Sequence, residues 1–571
     1  MDPHGGIEYR RLCGMGKRRS WLADGVALLA IVAAAFLVRA WPLGSTSLWW
    51  DELVHIHSAE RESIAEVYET VKIGIPPGGG NAGAVPLDYL LLHLWLRLAP
   101  RPGPEALEVY YRVPALLFSV ATVAVVFLLC RRFFDRSIAI VASTILALSI
   151  SHALYAAEAR FYALFGFLTS VNLYAYFAVL ADRRSVGAWV RFTLVNLLYF
   201  LSGLFSLLMM AVEYVIVSVL LVREGAPGRS FRQRIAVPAA SGFALAVAVG
   251  FYFAGTSLGA SYGRTAHPTL EIGSALELTL RFFALGNDLL LWALPAGCVL
   301  VLVYGWRRGS EHFAMSLCLA AAVLLIPAIV ELARLKEYYF HPRHALFLWP
   351  PFAMMTATAL MVAARSLDPL LRRGIAAPGA REAVATVVVL AVLLATQLPA
   401  VERHLARPAE QFARTKALRD FKALAEHLRE RVDRLAPGQL YLLTVERNEP
   451  GHLGNPMLSQ YLQWYGLDRV LLRGTDDPSA TRNAMKRFCR DGCVGDPSRR
   501  VQIDLLVRNP FDTKREIAEL VDLPPMRPDP RPIGAVAVLQ YARPRGAPPR
   551  RANGFDTTTF RGFTLYEKTA S

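Results

Sequence analysis

An acidic pair directly after two tryptophans is the first place in the sequence where chemistry could occur. Asp51 and Glu52 follow Trp49 and Trp50, shortly after a long apolar stretch near residues 21 to 43. Tryptophans concentrate at the membrane interface, so both carboxylates would face water or a substrate. A carboxylate there can act as a general base, or it can cap a helix. We interpret Asp51 as the candidate base and Glu52 as either a second catalytic acid or a neighbour that holds a helix.

Two later segments place ionisable side chains where the chain re-enters an apolar layer. Ionisable groups at such a depth cost a few kcal/mol unless they are paired or used. Cations at an interfacial cavity suit a lipid phosphate, although a structural salt bridge and interfacial snorkelling are alternatives. Glu158 and Arg160 are two positions apart, so on a helix they would point to different faces. The candidate substrate-binding residues are Glu158, Arg160, Tyr162, Lys336, His341 and Arg343.

In their order along the chain, these segments resemble the membrane glycosyltransferases of the C-type fold, especially the protein O-mannosyltransferases and the lipid A aminoarabinose transferases. Trp50-Asp51-Glu52 is similar to the acidic motif after the first helix of that family. Glu158-Ala159-Arg160-Phe161-Tyr162 is similar to its Glu-Ala-Arg-x-Tyr segment. Tyr339-Phe340-His341-Pro342-Arg343-His344 is similar to its Tyr-x-x-Pro-Arg-Tyr segment, and the resemblance covers roughly residues 20 to 400.

The resemblance implies an enzyme that transfers a sugar from a polyprenyl-phosphate donor to an acceptor on the non-cytoplasmic side, with inversion. Asp51 is then the general base, and the acceptor is a glycan, a lipid or a protein. A phosphate leaving group needs no general acid if cations stabilise it. The sequence departs from the family pattern at a glycine-rich insertion, residues 76 to 86, so a second functional residue of this loop is not identified.

No cofactor is predicted. His55 and His57 lie near the acidic pair, but two histidines at this spacing in a mixed loop are a weak signal for a metal site. The net charge of +16 would suggest nucleic acid as the partner of a soluble protein. Here many cations lie in short loops between apolar runs, where the positive-inside rule explains them, so we predict membrane lipids and no nucleic acid as partners.

The composition requires membrane helices to position these residues. The chain has 571 residues, of which 54% are hydrophobic and 19% charged, and the apolar residues form long runs. About eleven runs meet or approach the roughly 20 residues that cross a bilayer. With the resemblance, this predicts a polytopic α-helical membrane protein of the C-type fold with a C-terminal α/β domain. The runs lie near 21 to 43, 113 to 130, 137 to 153, 161 to 181, 187 to 203, 205 to 222, 235 to 255, 288 to 305, 312 to 332, 344 to 364 and 383 to 400.

The distribution of cations predicts the topology. A basic N-terminus ahead of a retained first helix is cytoplasmic, and the Arg-rich loops that follow alternate with loops poorer in cations. The four extracytoplasmic segments, which should contain the active site, are then 44 to 112, 152 to 160, 256 to 287 and 333 to 343. The composition, rich in Ala and Arg, and the short loops favour a bacterial inner membrane.

The chain divides into a transmembrane domain, residues 1 to 400, and an extracytoplasmic domain, residues 401 to 571. The spacing of apolar residues predicts an amphipathic helix over 408 to 435 and strands at 440 to 445, 501 to 507, 535 to 541 and 563 to 566. Cys489 and Cys493 hint at a disulfide in an oxidising compartment. Acceptor binding or a structural cap is the expected role of this domain.

Two other functions fit parts of the pattern. A lipid or solute transporter, or flippase, would also place Arg and Glu in membrane spans, but such proteins often show two related halves, and no such repeat is visible here. A non-catalytic glycolipid-binding relative is the other alternative. Glu213, inside an apolar run, is expected to have a buried structural partner.

Overall fold

The computed structural model describes most of the N-terminal four hundred residues and short parts of the rest. The described residues are 5–73, 85–223, 231–254, 271–284, 287–335, 341–408, 421–433, 440–446, 464–465, 470–475, 501–508, 555–560 and 563–568. The chain forms two compact units. The first comprises Met1–Leu43, Val54–Pro100 and Tyr111–Pro408, and the second Gly44–Leu53, Arg101–Tyr110 and Ala409–Ser571.

Helices dominate the described part of the chain, as the long apolar runs predict. Two short 3-10 helices, Pro104–Ala106 and Pro342–Leu348, interrupt the series. The α-helices are α1 (Gly5–Ala40), α2 (Trp50–Ala59), α3 (Ile64–Ile73), α4 (Leu87–Leu98), α5 (Leu107–Phe133), α6 (Arg136–Leu148), α7 (Ile150–Ala156), α8 (Tyr162–Ala181), α9 (Val186–Phe200), α10 (Ser206–Arg223), α11 (Phe231–Ala254), α12 (Ile272–Ala284), α13 (Asp288–Arg308), α14 (Ser310–Leu335), α15 (Trp349–Arg365), α16 (Asp368–Leu371), α17 (Pro378–Ala406) and α18 (Phe421–Asp433).

The helices agree with the predicted spans, with two departures. Nine segments of the described chain are long and apolar enough to cross a bilayer. The helices α6 and α7 together are also apolar enough, but they are bent by 60° where they join, as in a broken span or a re-entrant loop. The run at 187 to 203 forms α9, which has only 15 residues and ends before a turn at Ser202 and Gly203. After the acidic pair the chain continues as two short helices, α2 and α3.

Small residues let the helices of the first unit approach closely. A Cβ atom on Gly297 of α13 would lie 3.1 Å from the backbone of Met355 on α15, and one on Gly305 would lie 2.6 Å from the carbonyl oxygen of His312 on α14. Glycine at these contacts allows the backbones to pack against one another, as in other membrane helix pairs. The most buried spans are α8 and α15 with its preceding 3-10 helix.

Ion pairs tie several helices together at one end of this unit. Arg131 on α5 and Arg136 on α6 contact Asp24 of α1 at 2.8 and 2.7 Å. Asp135, which caps α6, is 2.9 Å from Arg365 at the end of α15. The loops that carry these arginines are among those assigned to one side of the membrane by charge, and the ion pairs bring them to one end of the helix bundle.

Glu213 lies in the interior of the first unit. Its side chain is fully buried on α10, and Nδ2 of Asn172 on α8 donates to both carboxyl oxygens at 2.7 and 2.9 Å. The expected structural partner is therefore an amide and not a cation. A carboxyl group at this depth needs such a partner because no water is available there to hydrogen-bond it.

The second unit contains α18 and a mixed sheet of five described strands, β1 (Leu440–Glu446), β2 (Val470–Thr475), β3 (Val501–Arg508), β4 (Phe555–Phe560) and β5 (Phe563–Lys568). Their order is β2-β1-β3-β5-β4. The β1 strand is parallel to β2 and β3, whereas β5 is antiparallel to β3 and β4. Three of the four predicted strands form, and the fourth, 535 to 541, lies outside the described residues, as do Cys489 and Cys493.

Candidate active site

The acidic pair lies in the first turn of α2, in the second unit. Carboxylates are stabilised there by the helix dipole. Oε2 of Glu52 accepts a hydrogen bond from the backbone N–H of Trp49 at 3.1 Å, which is the carboxylate half of a capping box. Glu52 is fully buried, whereas Asp51 is half-buried. The two acids therefore differ in their surroundings, since one closes the helix end and its neighbour retains access to solvent.

A histidine–aspartate contact that the sequence analysis missed joins α2 to α4 in the first unit. Nε2 of His55 is 2.6 Å from Oδ2 of Asp88, and the ring of Tyr89 lies 3.9 Å from the imidazole. His55 is fully buried. The described residues contain no group of three or more side chains placed to hold a metal ion. Asp88 follows the glycine-rich insertion, most of which lies outside the described residues, so nothing local in the sequence signalled this pairing.

Glu158 and Arg160 occupy a turn between α7 and α8 and are not part of a helix. The expectation that they point to different faces of a helix therefore does not apply to them. The backbone N–H of Arg160 donates to the carbonyl oxygen of Glu158 at 2.8 Å, and Glu158 is fully buried. The guanidinium of Arg160 lies 5.7 Å from the ring centres of both Phe161 and Tyr162. This distance allows a cation–π interaction that keeps the cation near the two rings.

The histidines of the third motif fix the start of the 3-10 helix Pro342–Leu348. Nδ1 of His341 accepts from the backbone N–H of Arg343 at 3.1 Å, and Nδ1 of His344 accepts from the backbone N–H of His341 at 3.3 Å. Both rings must be unprotonated at Nδ1 to accept these bonds. Burial, with the charges of Arg343 and His344, holds the pKa of His341 well below its usual range. Lys336 lies outside the described residues.

The second and third motifs meet in the first unit. The 3-10 helix packs on α8, where the rings of Phe165 and Phe347 are stacked at 4.6 Å. Arg160 lies two residues before α8, and Arg343 lies in the 3-10 helix that packs on α8. Arg160 and Arg343 are both half-buried. Two segments separated by almost two hundred residues thus bring guanidinium groups to the same region, an arrangement that can bind a phosphate.

A buried arginine supports the break between α6 and α7 that precedes the Glu158 turn. Arg39 of α1 donates from Nη1 to the carbonyl oxygens of Ala35 and Ala147 at 3.0 and 2.8 Å, and from Nη2 to that of Leu146 at 2.7 Å. Its other contacts are Nε to Oγ of Ser119 at 2.8 Å and Nη2 to Nδ1 of His152 at 2.9 Å. A cation suits the carbonyl oxygens of Leu146 and Ala147 because they lie at the C-terminal end of α6, where the helix dipole is negative.

Comparison with known proteins identifies the fold. No protein-family model and no curated protein matches the sequence. Among solved structures, ArnT from Cupriavidus metallidurans bound to undecaprenyl phosphate is similar at 12% identity and a TM-score of 0.51, covering 97% of this chain and 98% of that one. Its apo state gives 13% identity and a TM-score of 0.49 over 96% and 98% of the two chains.

The archaeal oligosaccharyltransferase AglB from Archaeoglobus fulgidus, in complex with an inhibitory peptide and a dolichol-phosphate, gives 13% identity and a TM-score of 0.44. The similarity covers 86% of this chain and 70% of that one. Of these three, the first has a TM-score above 0.5, and at 12% identity it establishes the fold. With its apolar helices and this similarity over nearly its full length, the protein is a multi-pass membrane protein of the C-type glycosyltransferase fold.

Proposed function

We propose that the protein is an inverting glycosyltransferase that uses a sugar linked to a polyprenyl phosphate. In this proposal Asp51 takes the proton of the acceptor hydroxyl, and Arg160 and Arg343 bind the phosphate of the donor. The meeting of Arg160 and Arg343, within a fold shared with a protein that binds undecaprenyl phosphate, carries the proposal. Charge-assisted hydrogen bonds from arginine suit phosphate oxygens and stabilise the leaving group.

The surroundings of the acidic pair support Asp51 as the base. Its half-buried carboxylate keeps some exposure and can reach an acceptor, whereas the carboxylate of Glu52 bonds the helix end. We assign Glu52 the role of holding the first turn of α2, so that Asp51 keeps its direction. Glu158 and Tyr162 then support Arg160, and His341 caps the 3-10 helix that carries Arg343. Lys336 is proposed as a further phosphate contact on its sequence position alone.

The membrane location and the acceptor side belong to the same proposal. The positive-inside rule supports a cytoplasmic N-terminus, with Asp51, the Glu158 turn, the 3-10 helix and the C-terminal domain on the extracytoplasmic side of a bacterial inner membrane. The acceptor is a glycan, lipid or protein that reaches this side. No metal or other cofactor is proposed, because an aliphatic phosphate can leave without Lewis-acid help when cations neutralise its charge.

The test supplies purified protein with a panel of polyprenyl-phosphate sugars and compares wild type with Asp51→Asn and Glu52→Gln. Asp51→Asn should abolish transfer, because an amide cannot take the acceptor proton. Glu52→Gln is the matched control, because glutamine at the same helix position keeps the capping box. Transfer that survives Asp51→Asn undiminished would contradict the proposed base.

A binding measurement tests the phosphate site separately. Replacing either Arg160 or Arg343 with Met removes charge-assisted hydrogen bonds of roughly 1.5–3 kcal/mol, so the Kd for undecaprenyl phosphate should rise about 10-fold to 150-fold. The control is Arg307→Met, an exposed arginine at the end of α13. Unchanged affinity in both variants would refute the phosphate site. Movement of the lipid across vesicle membranes without any sugar transfer would favour the transporter alternative.

A further inference from the structure

Helix α18 of the C-terminal part contacts the segment that leads into the acidic pair. Both belong to the second unit. The backbone N–H of Lys422, the second residue of α18, donates to Oγ of Ser47 at 2.9 Å. The N–H groups of a first helical turn have no partner within their own helix. Ser47 therefore caps α18 from a segment that lies more than 370 residues earlier in the chain.

The side chain of Lys422 adds a second connection within the same unit. Nζ donates to the carbonyl oxygen of Glu105 at 2.6 Å and lies 3.2 Å from Oε2 of Glu108. Glu108 is 1% exposed and Lys422 is 22% exposed. A charge pair so well shielded from water loses much more when one partner is removed than a surface pair does. Lys422 therefore links α18 to both loop segments of the unit, 44 to 53 and 101 to 110.

Apolar packing and a tyrosine reinforce this arrangement. Leu424, Ala425 and Leu428 of α18 are fully buried. The hydroxyl of Tyr465 donates to Oε1 of Glu426 at 3.2 Å. Burial raises the pKa of Tyr465, and the charges of Glu426 and of the two acids near Lys422 raise it further. This helix thus contributes to the core of the second unit.

The segment held by Lys422 continues directly into the first turn of α2. Thr46, Ser47 and Leu48 are buried, and the next residue, Trp49, donates its N–H to Glu52. Gly44 at the start of the segment packs against Val109, since a Cβ atom there would lie 3.0 Å from a methyl carbon of that valine. A shift of Ser47 would therefore be passed along this short segment to the first turn of α2, which contains Asp51.

We propose that Lys422 is a positioning residue for Asp51, and that α18 is part of the apparatus that orients the base. The C-terminal domain then has a catalytic role beyond that of a cap. The expected effect on kcat rests on the proposed function. The claim that Lys422 immobilises residues 44 to 53 does not, because it can be tested without any activity.

The first experiment measures amide hydrogen exchange of the full-length protein for peptides that cover residues 44 to 53. Lys422→Met keeps the backbone bond to Ser47 but removes the side-chain contacts to Glu105 and Glu108, which hold the segment that packs on Gly44 through Val109. Exchange over residues 44 to 53 should therefore rise at least about tenfold, while peptides from α8 and α15 stay unchanged. Lys422→Arg should restore most of the protection, because arginine can still donate to Glu105 and Glu108. Arg429→Met is the matched control, a half-exposed cation on the same helix with a contact only to Asp433, 4.0 Å away, among its described ion pairs.

The second experiment measures steady-state transfer with the donor found for the wild type. Lys422→Met should lower kcat about tenfold or more with little change in the KM for the donor, because a misplaced base slows chemistry without removing the phosphate contacts. Partial unfolding would also lower the apparent kcat, in proportion to the unfolded fraction. Lys422→Arg, which keeps the charge and the donors, separates a misplaced base from partial unfolding.

Each result decides the proposal. Unchanged exchange over residues 44 to 53 in Lys422→Met overturns it, as does increased exchange spread equally over the whole chain. If Lys422→Met cannot be purified folded, Ser47→Ala replaces it and should raise exchange in the same peptides by removing the cap. If the wild type transfers no sugar, the proposed function fails, while the exchange result still supports or refutes the role of Lys422.

Discussion

A glycine in the turn between α9 and α10 offers a sharp test of how packing supports the phosphate site. A Cβ atom on Gly203 would lie 2.7 Å from the ring of Phe165, whereas ordinary contacts begin at 3.4 Å. In Gly203→Ala the ring must therefore move by at least about 0.7 Å. Phe165 is itself buried between Phe347 at 4.6 Å and Tyr199 at 5.3 Å, so it has no free space to enter.

The energetic effect follows from this confinement. An extra methyl group forced into a packed core costs about 1–3 kcal/mol. Phe347 belongs to the 3-10 helix that carries Arg343, so displacement of Phe165 should also shift the proposed phosphate contact. We expect Gly203→Ala to lower the free energy of unfolding by about 1–3 kcal/mol and to weaken binding of undecaprenyl phosphate by about tenfold, on the scale of effects from misplaced groups.

The assay combines thermal unfolding in detergent with donor binding, and the chain supplies its own control. Gly166 directly follows Phe165 in α8, but a Cβ atom there would meet nothing within 4 Å. Gly166→Ala should therefore leave stability unchanged or raise it by up to about 1 kcal/mol through helix propensity. The double variant Gly203→Ala with Phe165→Leu should recover part of the loss. A Gly203→Ala protein as stable as the wild type would refute the reasoning.

Three other predictions concern buried polar groups. Arg39→Lys should lower stability by about 1–3 kcal/mol in thermal unfolding, because lysine keeps the buried charge but has three donors where the arginine uses five. Asn172→Leu should cost about 1–3 kcal/mol by removing the amide that bonds Glu213, and the double variant with Glu213→Leu should cost less than Asn172→Leu alone. Because the pKa of His341 is lowered in the folded protein, unfolded chains bind the proton more tightly, so stability should fall as the pH drops below about 6.5. Unfolding curves at pH 7.5 and 5.5 should show a smaller difference in His341→Gln than in wild type.

The apolar pattern predicted most of the first unit because membrane spans depend on composition more than on distant contacts. Runs of about 20 apolar residues have few structural alternatives in a bilayer, so nine spans appear where they were predicted among the described residues. The apolar pattern did not predict the break between α6 and α7 at Ser149. It depends on Arg39, more than 100 residues away, whose guanidinium supplies the donors that the end of α6 requires.

The candidate site was only partly accessible from sequence. The resemblance located Arg160 and Arg343, but their proximity depends on the packing of α8 against the 3-10 helix. The loop at Glu158 was expected between two apolar runs, whereas the bend that precedes it, between α6 and α7, was not. The contact of His55 with Asp88 and that of Lys422 with Glu108 join residues whose spacing carries no signal, because ion pairs between distant segments follow from tertiary structure alone.

The same physical reasoning separates the two acids that are adjacent in sequence. At the start of α2, a side chain at the third helical position can reach back to the N–H of the residue before the helix, and Glu52 does so. The carboxylate of the preceding residue, Asp51, is half-buried and keeps some exposure to solvent. An acid that must accept a proton needs such access, and an acid that must hold a helix end needs burial. Glu52 and Lys422 would both fix the backbone that leads into the proposed base, through their bonds to Trp49 and Ser47.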